Sequence, residues 1–124
     1  MDNDPTAAII LFHRGDCYCW LNDIERGIDD FTASLELYPE RVSTLIIRGR
    51  AYLFTGRPEA ALSDFERAVQ YDPESLRAYY WRGRALASLG YIDQAIEDLD
   101  LVIERADYGE LRSEALETLE SIRR

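Results

Sequence analysis

Arginines bracket a glycine twice in this chain, at Arg48-Gly49-Arg50 and Arg82-Gly83-Arg84, and a further arginine-glycine pair stands at Arg14-Gly15. Guanidinium groups are planar, permanently charged forks that suit carboxylates and phosphates. Beside glycine they suit three kinds of work: binding a phosphate, gripping an RNA backbone, or bracing the fold. The glycines do not form a phosphate-cradling loop, since neither GxGxxG nor GxxxxGK occurs. All 14 basic residues are Arg, which removes any mechanism that needs a lysine amine.

The formal net charge of −10 argues against nucleic-acid and anionic-membrane partners, because both interactions rest on neutralising phosphates with cations. Eight tyrosines and two tryptophans hint at base stacking, but most fall on positions that pack between helices. Catalysis has no constellation behind it: His13 is the lone histidine and is read as a half-buried helical side chain. No enzyme activity, cofactor or metal site is expected. Cys17 and Cys19 point to different sides of a helix, so a disulfide between them is not expected. Cys17, in register with Ala51 and Ala85, reads as a small core residue, and Cys19 as the more exposed one. The opening MDNDP and the lack of a long apolar run suggest a cytoplasmic protein.

The elements that must position the arginines follow from a 34-residue period. It stacks Leu11, Leu45 and Tyr79; Arg14, Arg48 and Arg82; Gly15, Gly49 and Gly83; and Tyr18, Tyr52 and Leu86. Further along, Gly27, Ala61 and Ala95 align, as do Phe31, Phe65 and Leu99, with Pro39 and Pro73 closing two units. Small residues stand where two helix backbones approach closely, and large ones fill the layer between units. Asp4 with Pro5, and Pro58, read as helix starts. Seven helices are expected, at about 5–20, 24–37, 42–54, 58–70, 76–88, 92–105 and 110–122. The last carries Leu111, Ala115, Leu119 and Ile122 on one face, as a cap over the final repeat would.

This pattern resembles the tetratricopeptide repeat (TPR) family, over three units at about 8–41, 42–75 and 76–109 and a capping helix at about 110–124, within one domain spanning 1–124. The departures are Arg before each Gly where Leu is usual, Gly27 for Ala, Asn22 where Gly56 and Gly90 mark the other turns, and Asp107 for a closing Pro. The resemblance implies an all-α, right-handed α-solenoid of helix-turn-helix repeats. It also implies that the first helix of each unit, helix A, lines a concave surface. Similar proteins clamp chaperone C-terminal carboxylates there with Lys and Asn. The matching positions here are Phe12, Asp16, Ile47, Arg77 and Trp81, of which only Arg77 suits that role, so chaperone-tail binding is not expected.

The arginines then divide into two groups. Arg14, Arg48 and Arg82 each have an acid sixteen residues on, at Asp30, Asp64 and Asp98, and a charge pair that repeats with the fold reads as a strut between the helices of a unit. Arg50 and Arg84 lie two residues further along, about 200° around the helix, on another face. The A helices hold six Arg and one acid, whereas the second helices, B, hold twelve acids and three Arg. The inner wall of an acidic protein is therefore locally basic. Its candidate partner-binding residues are Phe12, Asp16, Ile46, Arg50, Arg77, Tyr80 and Arg84. The expected ligand is an acidic and apolar peptide segment of another protein, held by a non-enzymatic adaptor. The alternative is a self-assembling scaffold element that dimerises or polymerises through its solenoid ends, because Ile10 and Trp20 lack a preceding repeat to cover them.

Overall fold

The computed structural model describes residues 5–107 and 109–124; Asp4, the expected first cap, lies outside the described residues. Seven helices follow one another: α1 (Pro5–Trp20), α2 (Ile24–Leu37), α3 (Val42–Phe54), α4 (Pro58–Tyr71), α5 (Leu76–Ser88), α6 (Ile92–Arg105) and α7 (Glu110–Arg123). Local chemistry sets their ends. The Asp23 carboxylate accepts from the Arg26 amide at 3.3 Å, and the Ser75 hydroxyl accepts from the Ala78 amide at 3.3 Å, so α2 and α5 start on side-chain caps. Pro58 occupies the first turn of α4, where no intrahelical N–H is needed.

Each A helix stops by turning left-handed. Asn22 (φ 66°), Gly56 (φ 77°) and Gly90 (φ 89°) hold the same turn position in the three units. Glycine takes that backbone without a Cβ clash, and asparagine is among the few side chains that tolerate it.

The helices pack as α1 on α2, α3 on α4 and α5 on α6, with each pair laid against the next and α7 against α5 and α6. The result is a right-handed α-solenoid whose main core cluster runs from Leu35 on α2 to Leu119 on α7. Phe31, Phe65 and Leu99 are fully buried at equivalent places. The A-helix glycines make room for them: a Cβ on Gly49 would stand 2.5 Å from the Phe65 ring, and one on Gly15 would meet both Phe31 and the Gly27 carbonyl. Gly27 in turn is required by the Gly15 carbonyl, which an added Cβ would approach to 2.9 Å, with the Cys19 sulfur at 2.6 Å as a second contact.

Neighbouring units are tied by polar contacts as well. Arg48 donates to the Thr32 hydroxyl at 3.2 Å, Arg57 donates to Glu25, and Arg67 donates to the Pro39 carbonyl at 3.3 Å.

Candidate functional site

Three fork-to-fork ion pairs cross between the A and B helices of the three pairs. Arg14 donates from Nε and Nη2 to the two Asp30 oxygens, both at 2.7 Å. Arg48 does the same to Asp64 at 2.8 and 2.6 Å, and Arg82 to Asp98, both at 2.8 Å. The carboxylates are buried in all three, but the arginine side chains are 60%, 14% and 26% exposed in chain order. Burial works against the charge on Arg48, yet the hydrogen bonds and charge of Asp64 outweigh it and raise its pKa. The hydrogen bond to Asp30 does the same for Arg14, and that to Asp98 for Arg82. These six residues are absorbed by one another.

The remaining A-helix arginines have no such partner. Arg50 makes no hydrogen bond or ion pair among the described residues, and its Nε is buried without a partner. Its guanidinium instead lies 4.6 Å from the centroid of the Trp81 ring. Arg84 lies 4.8 Å from the same centroid, with Nη1 3.5 Å from the Tyr80 hydroxyl. Burial pushes the Arg50 pKa down, and the like charges of Arg77 and Arg84 add to that, against a partial offset from Glu114 and Asp16. Arg50, Arg77 and Arg84 thus share one electrostatic neighbourhood.

Two shallow hollows meet at Arg50. One, of about 200 Å³, is lined by Asp16, Cys19, Ile24, Ile47, Arg50, Ala51 and Phe54. The other, of about 350 Å³, is lined by Phe12, Val42, Ser43, Ile46, Ile47, Arg50, Asp72, Ser75 and Arg77. Trp20, 84% exposed, flanks the first together with Asp16, Cys19 and Arg50. The Phe12 ring carries the Arg41 guanidinium at 4.5 Å.

The structure therefore brings Phe12, Asp16, Ile46, Arg50 and Arg77 around these hollows and sets Arg84 beside Arg50 on Trp81. Tyr80 is different. It is 3% exposed, with its hydroxyl 3.4 Å from that of Thr118 on α7, so it supports the wall and presents little surface to a ligand. Arg41 is a participant that residue pattern alone does not single out as groove-forming, and Trp81, named as a groove position, serves as the platform for two arginines and not as a ligand contact. The available signal for Trp81 is the 34-residue register, which aligns it with His13 and Ile47 and makes it the bulkiest occupant of that row.

The first unit departs from three expectations. Cys17 is exposed rather than a core residue, so that it and not Cys19 is the more exposed thiol, and His13 is exposed rather than half-buried, its ring meeting Phe12 edge-on at 5.2 Å between centroids. The cause is the same for both. Ala51, Ala85 and Trp81 hold equivalent positions in units that follow another helix pair and are buried, and Ile47 is half-buried, whereas no described helix packs ahead of α1. Cys19 is half-buried, and burial together with the charges of Asp16 and Asp23 pushes its thiol pKa up. Among the described residues, no group of three His, Cys, Asp or Glu is placed to hold a metal ion, and no helix is long and apolar enough to cross a membrane.

Comparison with known proteins follows the same lines. A family profile described as tetratricopeptide repeat matches residues 48–110, and a second profile of that description matches residues 10–41. No curated protein matches the sequence. Among solved structures, the chain is similar to the first TPR domain of Spaghetti (RPAP3), bound to the HSP90 peptide SRMEEVD, at 25% identity and a TM-score of 0.89 over 99% of this chain and 95% of that one. It is similar to the first TPR domain of human RPAP3 at 26% identity and a TM-score of 0.86, covering 96% and 91% of the two chains. The Sgt2 TPR domain from Aspergillus fumigatus matches at 25% identity and a TM-score of 0.85, covering 94% of this chain and 76% of that one.

Proposed function

The chain belongs to the tetratricopeptide repeat family, and from that premise we propose that it is a non-enzymatic interaction module whose concave face binds an acidic and apolar peptide segment of another protein. The observation that carries this reading is the trio Arg50, Arg77 and Arg84. Among the described residues they are cations without a carboxylate ion-pair partner; Arg50 and Arg77 line hollows shared with Phe12, Ile46, Ile47 and Phe54, and Arg84 stands beside Arg50 on Trp81, in an otherwise acidic protein. A segment with carboxylates flanking apolar side chains complements that surface in both charge and polarity. The acidic HSP90 peptide held by the Spaghetti domain supports the class of ligand.

The ligand is not the chaperone tail itself. Of the positions that would receive a C-terminal carboxylate, Asp16 would repel it, Phe12 and Ile47 offer no donor, and Trp81 is 5% exposed. Only Arg77 remains. The reading is non-catalytic because the Cys19 thiol is held protonated, the reverse of an activated nucleophile, and His13 is engaged only with a phenyl ring. A reducing cytoplasm suits the two free cysteines.

Affinity capture from a lysate of the source organism, comparing wild type with the Arg50→Glu/Arg84→Glu double variant, tests the proposal. A partner held by the wild type and lost by the variant places binding on the concave face; equal capture by both removes it. A second reading, end-to-end assembly, is favoured by one observation: Ile10, Trp20 and Leu21 on and just after α1 are all exposed. Light scattering over a concentration series separates the two, since assembly requires mass that rises with concentration.

A further inference from the structure

Arg50 is anomalous among the buried cations of the A helices. Arg48 and Arg82 each close a two-pronged ion pair, but Arg50 buries its Nε with no acceptor and stacks its charge on an indole. A desolvated donor without an acceptor is unfavourable, and a second and third guanidinium nearby add to the cost. Asp16 and Glu114 reach Arg50 with their charges and do not hydrogen-bond to it. Stacking on Trp81 fixes where the two guanidiniums of Arg50 and Arg84 sit; it leaves the donors of Arg50 without an acceptor among the described residues, and Arg84 gives only Nη1, at 3.5 Å, to the Tyr80 hydroxyl.

Resting on the peptide-groove reading above, we propose that Arg50 and Arg84, held on the shared Trp81 indole, form a seat for one side-chain carboxylate, Asp or Glu, from the interior of an extended partner segment. Interior placement follows from the two hollows. Arg50 belongs to both the hollow of Cys19, Ile47 and Phe54 and that of Phe12, Ile46 and Arg77, so a chain crossing it continues in both directions. In an extended segment alternate side chains share a face, about 6 to 7 Å apart. Apolar residues two before and two after the acid therefore descend into the hollows. A carboxylate offers two oxygens, one for each of the two guanidiniums set on the indole. This seat is distinct from a C-terminal carboxylate clamp, which needs the chain to end there.

The test uses peptides displayed with both ends tethered, selected on the full chain, and then measured as capped peptides by emission of Trp81 in a Trp20→Phe background, where it is the only tryptophan. The expected selection is Asp or Glu with apolar residues two positions away on each side, and binding is expected to change the Trp81 emission. Glu→Gln in the peptide, and separately Arg50→Gln or Arg84→Gln in the protein, should each weaken binding at least about tenfold. Arg50→Lys should also weaken it, since the charge remains and the fork is lost. The peptide substitution leaves the protein untouched, so the result stands even if an arginine variant unfolds. Selected peptides without an acid, or full binding by Arg50→Gln, overturn the seat and leave the groove reading intact. Tighter binding when phosphoserine replaces the acid overturns the carboxylate assignment. Selection of no peptide at all overturns the groove reading and the seat with it.

Discussion

Arg48 and Asp64 form the most enclosed of the three ion pairs, with Nη2 to Oδ1 at 2.6 Å and both side chains largely shut off from water. The equivalent Arg14 side chain is mostly exposed although its geometry is the same. The difference comes from position along the solenoid. Arg48 is covered by the first helix pair, including the Thr32 hydroxyl, whereas no described helix pair lies ahead of Arg14.

The cost of breaking a strut should therefore depend on the unit. Asp64→Ala strands a buried guanidinium and is expected to destabilise the chain by about 3 kcal/mol. Asp98→Ala should cost less, and Asp30→Ala least, because Arg14 can rehydrate. Urea denaturation of the three variants measures this order. A raised arginine pKa contributes stability that is fully present below the ordinary arginine value and is lost only as pH rises through the folded one. The gap between wild type and Asp64→Ala should accordingly stay flat between about pH 6 and 9.

Asn22 carries a positive φ that Gly56 and Gly90 carry in the other units. Asn22→Gly is expected to raise stability by up to about 1 kcal/mol, and Gly90→Ala to lower it by about 1 kcal/mol, with no side-chain contact involved in either change. Thermal unfolding of the two variants should move in opposite directions.

The interhelical glycines are not equivalent. An added Cβ at Gly49 overlaps the fully buried Phe65 ring, while one at Gly83 meets its nearest neighbours at 3.3 Å. Gly49→Ala is expected to cost about 2 to 3 kcal/mol and Gly83→Ala clearly less. Equal losses would mean that the Phe65 ring can move aside.

The two thiols should react at different rates. Cys17 is exposed, while Cys19 is half-buried with its pKa raised above the usual 9.0 by burial and by Asp16 and Asp23. Iodoacetamide near neutral pH should label Cys17 first, as read by peptide mass mapping. The raised pKa means that the folded state favours the Cys19 thiol. Its contribution is present below about pH 9 and declines as pH rises through the folded value, so labelling of Cys19 should accelerate only in that alkaline range.

The helices were legible in the sequence because the 34-residue register, Pro5, Pro58 and the turn residues all point to the same segments. Only the ends of α4 and α7 run one residue further, to Tyr71 and Arg123. Exposure was less legible. Register aligns Cys17 with Ala51 and Ala85, but those two stand in units that follow another helix pair, and no described helix lies ahead of α1. The site was legible as a set of A-helix positions and not as a surface. Tyr80 is lost beneath α7, and the desolvation of Arg50 depends on where the Trp81 ring lies, a side-chain direction that spacing does not encode.

The most direct test of the account is a charge swap measured by calorimetry with a selected acidic peptide. Arg50→Glu should abolish binding of that peptide, and replacing the peptide's central acid with Arg should restore binding to the variant while weakening it for the wild type. Equal affinity across all four combinations would contradict the assignment of the concave arginines as the contact surface.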